Sequence, residues 1–203
     1  MEGLLTSPAA SKLPIMKSLL FLLFTTTCLC AAPDGLRLDL IVPPRDGDRF
    51  LHAEYSCWIA DASKPVKAVI IHQHGCTNAS PEKHPPITGD WHWRALARKH
   101  DAALLVPMYQ VAKGCDEWND PDSGSERALL AALADFAQST GRKELKDAPW
   151  ILWGHSGGSS WSAQMIVRHP QRVLAASFRG GCHKQFGDPA FRAQFATAAR
   201  ELP

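Results

Sequence analysis

Residues 148–160 read APWILWGHSGGSS, an apolar run that leads directly into a serine between two glycines. Residues 154–158 of this stretch match the pattern G-x-S-x-G. When a strand precedes this pattern and a helix follows it, the serine sits on a sharp turn, a nucleophile elbow, that exposes its hydroxyl above a sheet. The match alone is weak, because glycine and serine are common residues. Its meaning therefore depends on the rest of the chain.

The glycines of the pattern have a steric reason. A serine on so tight a turn needs neighbours at positions 154 and 158 that lack a Cβ, since a Cβ would collide with the strand or the helix. The serine hydroxyl then projects at the positive end of the following helix. We therefore predict Ser156 as a catalytic nucleophile, with Gly154, His155 and Gly158 as supporting residues of the elbow. The alternative is a Gly-Ser turn without chemistry.

Composition and charge limit the classes of function. The chain has 203 residues, of which 45% are hydrophobic and 21% charged, as expected for one soluble globular domain. Lys and Arg number 22 against 20 Asp and Glu, a net charge of +2, and neither a basic stripe nor an acidic tail is present. This balance argues against nucleic acid or a charged membrane surface as the main partner.

The N-terminal segment, residues 16–32, has the pattern of a secretory signal peptide. A basic start at Lys17 is followed by an apolar run at 19–24 and by small residues up to Ala32. The apolar run is too short for a spanning helix, and it has no polar face that would favour a buried amphipathic helix. We predict a secreted or periplasmic protein without a stable membrane anchor. Residues 1–32 would then be an extension and signal peptide, and 33–203 the folded domain.

Four cysteines remain after such a cleavage: Cys57, Cys76, Cys115 and Cys182. An even number in an exported chain favours disulfides, and four cysteines allow three pairings. We favour Cys76–Cys115, since both residues follow predicted strands in loops. Four unpaired thiols remain the alternative.

The hydrophobic pattern predicts an α/β fold. Strands are predicted at 36–42, 49–59, 66–72, 102–107, 149–153 and 172–181, and helices at 91–100, 123–141 and 159–169. The first two strands form an antiparallel hairpin around the turn PPRDGD. From residue 66 onward strands and helices alternate, which predicts a mostly parallel sheet with helices on both faces. The loops that follow the parallel strands should share one edge of the sheet.

A second motif follows the strand at 66–72. Residues 72–78 read HQHGCTN, and a His-Gly pair directly after a buried strand resembles an oxyanion loop of the HG type. Such a loop places backbone N–H groups at Cys76 and, from the elbow, at Gly157 around a developing oxyanion. His74 and Gly75 would then support this loop.

The same segment also offers an H-x-H pair, His72 and His74, of the kind that binds metals. No further ligand cluster accompanies this pair in the sequence. We therefore predict neither a metal site nor a cofactor.

Together HQHGC, WGHSGG and the strand order resemble the α/β-hydrolase superfamily from about residue 35 to the end of the chain. Within the superfamily, the secreted poly(3-hydroxybutyrate) depolymerase and feruloyl-esterase type is the most similar. The resemblance implies cleavage of a small-molecule or polymeric ester by Ser156 through an acyl-enzyme. A serine peptidase of the same fold and a catalytically inactive domain are the alternatives.

The sequence departs from this family in its acid and base. The family order is Ser, then Asp or Glu, then His. After Ser156 the histidines are His169 and His183, and the first acid is Asp188, so no histidine follows an acid. His183 and Asp188 are weak base and acid candidates, and His169 is expected to close a helix. We expect a chain that is incomplete at the C-terminus, with the last strands of the fold missing.

Overall fold

A computed structural model describes residues 34–76, 87–112 and 117–203, with the side chain of His183 excepted. All of these residues belong to one compact unit, Ala31–Pro203. The predicted signal peptide at 16–32 and the predicted disulfide partner Cys115 lie outside the described residues. Among the described ranges, no helix is long and apolar enough to cross a membrane.

Six strands form one sheet in the order β1-β2-β4-β3-β5-β6. β1 pairs antiparallel with β2, and β2 antiparallel with β4, whereas β3, β4, β5 and β6 run parallel. Their bounds are β1 Leu36–Val42, β2 His52–Ile59, β3 Ala68–Gln73, β4 Ala102–Gln110, β5 Trp150–His155 and β6 Val173–Arg179. The predicted leading hairpin and mostly parallel sheet are therefore confirmed.

In the described ranges, six α-helices connect or follow these strands: α1 Trp91–Lys99, α2 Ser125–Thr140, α3 Glu144–Asp147, α4 Gly157–Arg168, α5 His183–Gly187 and α6 Pro189–Arg200. α1 begins where predicted, because the Asp90 carboxylate accepts hydrogen bonds from the N–H groups of His92 and Trp93. α2 ends at Gly141, whose left-handed φ of 70° closes the helix without the clash that a Cβ would bring.

The core lies in two layers, one on each face of the sheet. Successive residues of a strand point to opposite faces. Accordingly Ile70 packs in the smaller cluster with Ala97 of α1, while Val69 packs in the larger cluster with Leu133 of α2 and Trp161 of α4. β3 is buried along its whole length because helices cover both faces. The prediction of helices on both faces is confirmed.

Some predicted boundaries differ from the structure. β4 continues past 107 to Gln110, because residues 107–110 pair antiparallel with β2. The hydrophobic pattern of β4 alone does not reveal these partners. β5 continues through His155, which pairs with Arg179 of β6. α4 begins at Gly157, directly after the serine, and not at 159. The short helices α3 and α5 were not predicted.

Candidate active site

Ser156 occupies the single residue between β5 and α4 and is exposed. Its backbone has φ 52° and ψ −117°, a left-handed conformation that is unfavourable for residues with a Cβ. Hydrogen bonds on both sides hold it there: the Ser156 N–H donates to the Arg179 carbonyl at 3.0 Å, and its carbonyl accepts from the Ser159 N–H at 2.9 Å. Strain of this kind persists where the surrounding structure imposes it, which is frequent at catalytic residues.

The flanking glycines permit two close backbone approaches. A Cβ atom on Gly154 would lie 2.5 Å from the Gly158 carbonyl oxygen, inside the first turn of α4. A Cβ on Gly158 would lie 2.1 Å from the Gln73 carbonyl oxygen, at the end of β3. Both distances are far below a van der Waals contact. The glycines at 154 and 158 therefore allow helix α4 to start against β5 and β3.

The loop after β3 packs directly on this turn. A Cβ on Gly75 would lie 3.0 Å from the Ser156 Cβ and 3.0 Å from the His155 carbonyl oxygen. A Cβ on Gly157 would lie 2.7 Å from the Sγ of Cys76. The rings of His74 and His155 also meet, with centroids 5.6 Å apart. The structure thus brings together the two segments that the sequence assigned to the oxyanion loop and the elbow.

The segment after β6 reaches the same turn. A Cβ on Gly181, which has φ 81°, would lie 2.1 Å from the Ser156 carbonyl oxygen, so only glycine fits here. The following N–H, of Cys182, donates to the Ser160 Oγ at 3.2 Å. The backbone of His183 begins α5 at this point. The segment that carries the base candidate therefore starts beside the elbow.

Asp188 has a structural contact of its own. Its carboxylate accepts a hydrogen bond from the Ala190 N–H at 2.9 Å and caps the N-terminus of α6. This cap provides a reason for the residue that does not involve the serine.

His72 belongs to an aromatic cluster beneath the loop. It is 1% exposed, its ring stacks on Trp153 with centroids 4.0 Å apart, and Trp93 meets it edge-on at 4.6 Å. Burial lowers the pKa of His72 to about 4, so the imidazole is neutral at pH 7. Among the described residues, no group of three or more His, Cys, Asp or Glu side chains could hold a metal ion.

His169 lies at the far end of α4 from Ser156. A helix of 12 residues is about 18 Å long, which separates the two residues by roughly that distance. The His169 Nε2 lies 2.7 Å from the Glu126 Oε1, and its backbone N–H bonds to the Met165 carbonyl. His169 closes the helix, as predicted.

Trp118 is a residue that sequence reasoning missed. It is 4% exposed and stacks on Tyr109 with ring centroids 5.3 Å apart. Its Cζ2 and Cη2 atoms lie 3.6 and 3.7 Å from the position of a Cβ on Gly157, so the indole faces the start of α4. The sequence signal was a lone aromatic residue in an acidic loop, DEWNDPD, which gives no indication of burial.

The cysteines are only partly described. Cys57 and Cys182 are buried free thiols, so disulfide pairings that use either of them are wrong. Burial raises the pKa of the Cys182 thiol to about 11, which keeps it protonated and unreactive at neutral pH. The Cys76–Cys115 pairing stays a prediction, since Cys115 lies outside the described residues.

No family model matches the chain, and no curated protein matches it. Solved structures do match. An S-formylglutathione hydrolase from Agrobacterium tumefaciens is 14% identical, with 73% of this chain and 58% of that chain covered and a TM-score of 0.49. A fungal esterase from Rhizomucor miehei is 17% identical, with 81% and 50% covered and a TM-score of 0.48. A poly(3-hydroxybutyrate) depolymerase from Bordetella parapertussis is 17% identical, with 66% and 47% covered and a TM-score of 0.42.

The chain thus spans about half the length of these solved structures. Its own geometry defines its fold. The sheet has the order β1-β2-β4-β3-β5-β6, in which β1 and β2 pair antiparallel, β2 and β4 pair antiparallel, and β4, β3, β5 and β6 run parallel. A serine in a left-handed conformation joins β5 to α4, as the nucleophile elbow of α/β-hydrolases requires. The described part of this chain therefore has the α/β-hydrolase fold.

Proposed function

We propose that this chain is an exported serine hydrolase that cleaves an ester bond through an acyl-enzyme on Ser156. One observation carries the proposal: Ser156 holds φ 52° at an exposed turn that leads into a buried helix N-terminus. A Gly-Ser turn without chemistry has no need of this conformation, which costs of order 1–3 kcal/mol. Two separate segments pack against Ser156 through glycines, Gly75 and Gly181, at which a Cβ would lie within 3.0 Å of Ser156 atoms.

The reaction follows from the position of the hydroxyl. The Ser156 Oγ attacks the ester carbonyl carbon, its proton passes to a base, and the carbonyl oxygen becomes an oxyanion. When the tetrahedral intermediate collapses, the C–O bond to the alcohol breaks and the alcohol leaves with a proton. A water molecule then repeats the sequence on the acyl-enzyme, which releases the carboxylic acid and restores the serine.

The oxyanion would be held by the N–H groups of Gly157 and Cys76. Gly157 is the first residue of the 12-residue helix α4, where N–H groups lack intrahelical partners and the helix dipole is positive. The Sγ contact with Gly157 places Cys76 next to this helix start. Removal of one such donor typically costs 10²- to 10³-fold in kcat.

For the proton of Ser156 the chain offers His183 as base and Asp188 as acid. The close approach of Gly181 to the Ser156 carbonyl supports His183 as the base. His183 follows Gly181 by two positions and is the first residue of α5. The substitutions His183→Gln and Asp188→Asn test the two roles. A base at 183 predicts a large loss of esterase activity in the first variant. An acid at 188 predicts a smaller loss in the second.

A fluorophosphonate probe tests the nucleophile, since it phosphonylates only an activated serine hydroxyl. We expect the purified chain to be labelled at Ser156 and the Ser156→Ala variant to remain unlabelled. Turnover of p-nitrophenyl esters without cleavage of peptide substrates would support an esterase, and the reverse pattern a peptidase. Absence of labelling in a folded chain would identify an inactive domain.

Export and the Cys76–Cys115 disulfide belong to the same proposal. The basic, apolar and small-residue regions of 16–32 support export. The free thiols at Cys57 and Cys182 leave Cys76 and Cys115 as the remaining pair of the predicted mature chain. N-terminal sequencing of protein from the extracellular or periplasmic fraction should place the start near residue 33. Non-reducing peptide mapping should recover the two cysteines in one cross-linked peptide.

A further inference from the structure

We propose that Trp118 is a positioning residue of this site: its indole fixes the start of α4, and with it the Gly157 N–H. The inference rests on the proposed function, in which that N–H binds the oxyanion. Trp118 itself need not touch the substrate. Its effect would pass through the backbone of Gly157.

The first step is the contact between the indole and the helix start. The indole edge lies 3.6 Å from the position of a Cβ on Gly157, and the Sγ of Cys76 lies 2.7 Å from the same point. The space beside Gly157 is therefore closed by two side chains from two different loops. Because protein interiors are close-packed, a change in either side chain is felt at the backbone between them.

The second step is the anchoring of Trp118. Its ring is almost parallel to that of Tyr109, with an interplanar angle of 10°. The Tyr109 hydroxyl lies 2.9 Å from the Tyr55 hydroxyl and donates to the Ser125 carbonyl at 3.2 Å. Both tyrosines are at most 5% exposed. Trp118 thus rests on a buried, hydrogen-bonded pair of tyrosines on the adjacent strands β2 and β4.

The third step is that the segment after Trp118 also contacts α4, further along the helix. The Gln164 side chain donates to the Asn119 carbonyl at 2.8 Å, and the Trp161 Nε1–H donates to the Ser125 Oγ at 3.0 Å. Asn119 follows Trp118 directly in the chain. These contacts join the loop and the start of α2 to α4, and the contact of Trp118 is the one next to the serine.

Loss of the indole should affect the reaction more than substrate binding. Oxyanion donors act at 2.7–3.1 Å, and a misplacement of about 1 Å can cost 10²-fold in rate. Such a donor acts on the transition state, so kcat should fall while KM changes little. We expect Trp118→Leu to lower kcat about tenfold or more. Trp118→Phe retains a stacked ring and should restore much of the rate.

Trp58→Leu is the matched control. Trp58 is fully buried in the core on the opposite face of the sheet, under Arg94 and Arg98. Its loss should lower Tm as much as the loss of Trp118, yet leave kcat and the rate of fluorophosphonate labelling near those of the wild type. Hydrogen exchange should accelerate at residues 157–160 in Trp118→Leu and not in Trp58→Leu.

The outcomes separate the two proposals. The positioning role is supported if the probe labels the wild type, if Trp118→Leu has a lower kcat, and if Trp58→Leu has the kcat of the wild type. Wild-type kcat in a folded Trp118→Leu overturns it, and so do equal losses of kcat in the Leu variants of Trp118 and Trp58. A folded wild-type chain that is not labelled overturns the proposed function itself.

Discussion

A Cβ atom on Gly157 would lie 2.7 Å from the Sγ of Cys76, too close for a carbon and a sulfur that are not bonded. Glycine at position 157 therefore lets the loop after β3 close on the first turn of α4. The two backbone N–H groups proposed to bind the oxyanion belong to these two residues. The absence of a side chain at position 157 is therefore what lets these two residues approach each other.

Gly157→Ala should widen this spacing. The new methyl group must displace the Cys76 sulfur or the helix start, so we expect the rate of Ser156 phosphonylation to fall about tenfold or more. Overpacking should also cost ~1–3 kcal/mol in the free energy of unfolding. Gly187→Ala is the control, because no heavy atom lies within 4 Å of its Cβ position. A Gly157→Ala chain labelled as fast as the wild type would contradict the role of this contact.

Gly158→Ala should act on stability. Alanine normally favours a helix over glycine by ~1 kcal/mol. Here its Cβ would lie 2.1 Å from the Gln73 carbonyl oxygen, and a backbone atom of a buried strand cannot move aside like a side chain. We expect a net loss of about 3 kcal/mol, seen as a lower urea midpoint. Gly89→Ala, with open space around its Cβ, should leave the midpoint in place. An equally stable Gly158→Ala would show that α4 and β3 pack less closely.

Sequence reasoning succeeded where the pattern is local. The alternation of Leu36–Val42 predicted β1 with its observed bounds, and Asp90 predicted the start of α1. The elbow was visible because its cause, a pair of close approaches at positions 154 and 158, leaves glycine in the sequence itself. In each case the residues that carry the signal are neighbours in the chain.

It failed where the cause lies elsewhere in the chain. The extension of β4 to Gln110 depends on partners from β2, some 50 residues earlier. The burial of Trp118 depends on Tyr109 and on Gly157, which belong to a strand and a helix on either side of its loop. A lone tryptophan among acidic residues carries no local sign of such partners. Long-range packing therefore determines the end of β4 and the burial of Trp118, and the local sequence pattern indicates neither.

Ser156→Gly should separate strain from chemistry. Glycine adopts φ 52° and ψ −117° readily, so the variant should recover part of the 1–3 kcal/mol that this conformation costs a serine. Ser156→Ala retains the Cβ and the strain. After the entropy cost of glycine, ~0.5–1 kcal/mol, we expect the glycine variant to be more stable than the alanine variant by about 1 kcal/mol in urea unfolding. Neither should react with the probe. A less stable glycine variant would show that the turn is not strained.

His72 should make the stability of the fold depend on pH. Burial lowers its folded-state pKa to about 4, whereas an unfolded histidine has a pKa of about 6.5. Above pH 6.5 both states are neutral and the stability is complete. Between pH 6.5 and 4 only the unfolded chain binds the proton, so the free energy of unfolding falls as the pH falls, by up to ~3 kcal/mol from this group.

His72→Phe removes the titrating group and keeps a ring between Trp153 and Trp93. Relative to the wild type, this variant should therefore gain stability as the pH is lowered from 7 to 4. Urea unfolding of the wild type and of His72→Phe at half-unit pH steps measures this gain. A constant difference between wild type and His72→Phe across this range would mean that His72 takes up its proton in the folded state, and that the cluster beneath the elbow is open to water.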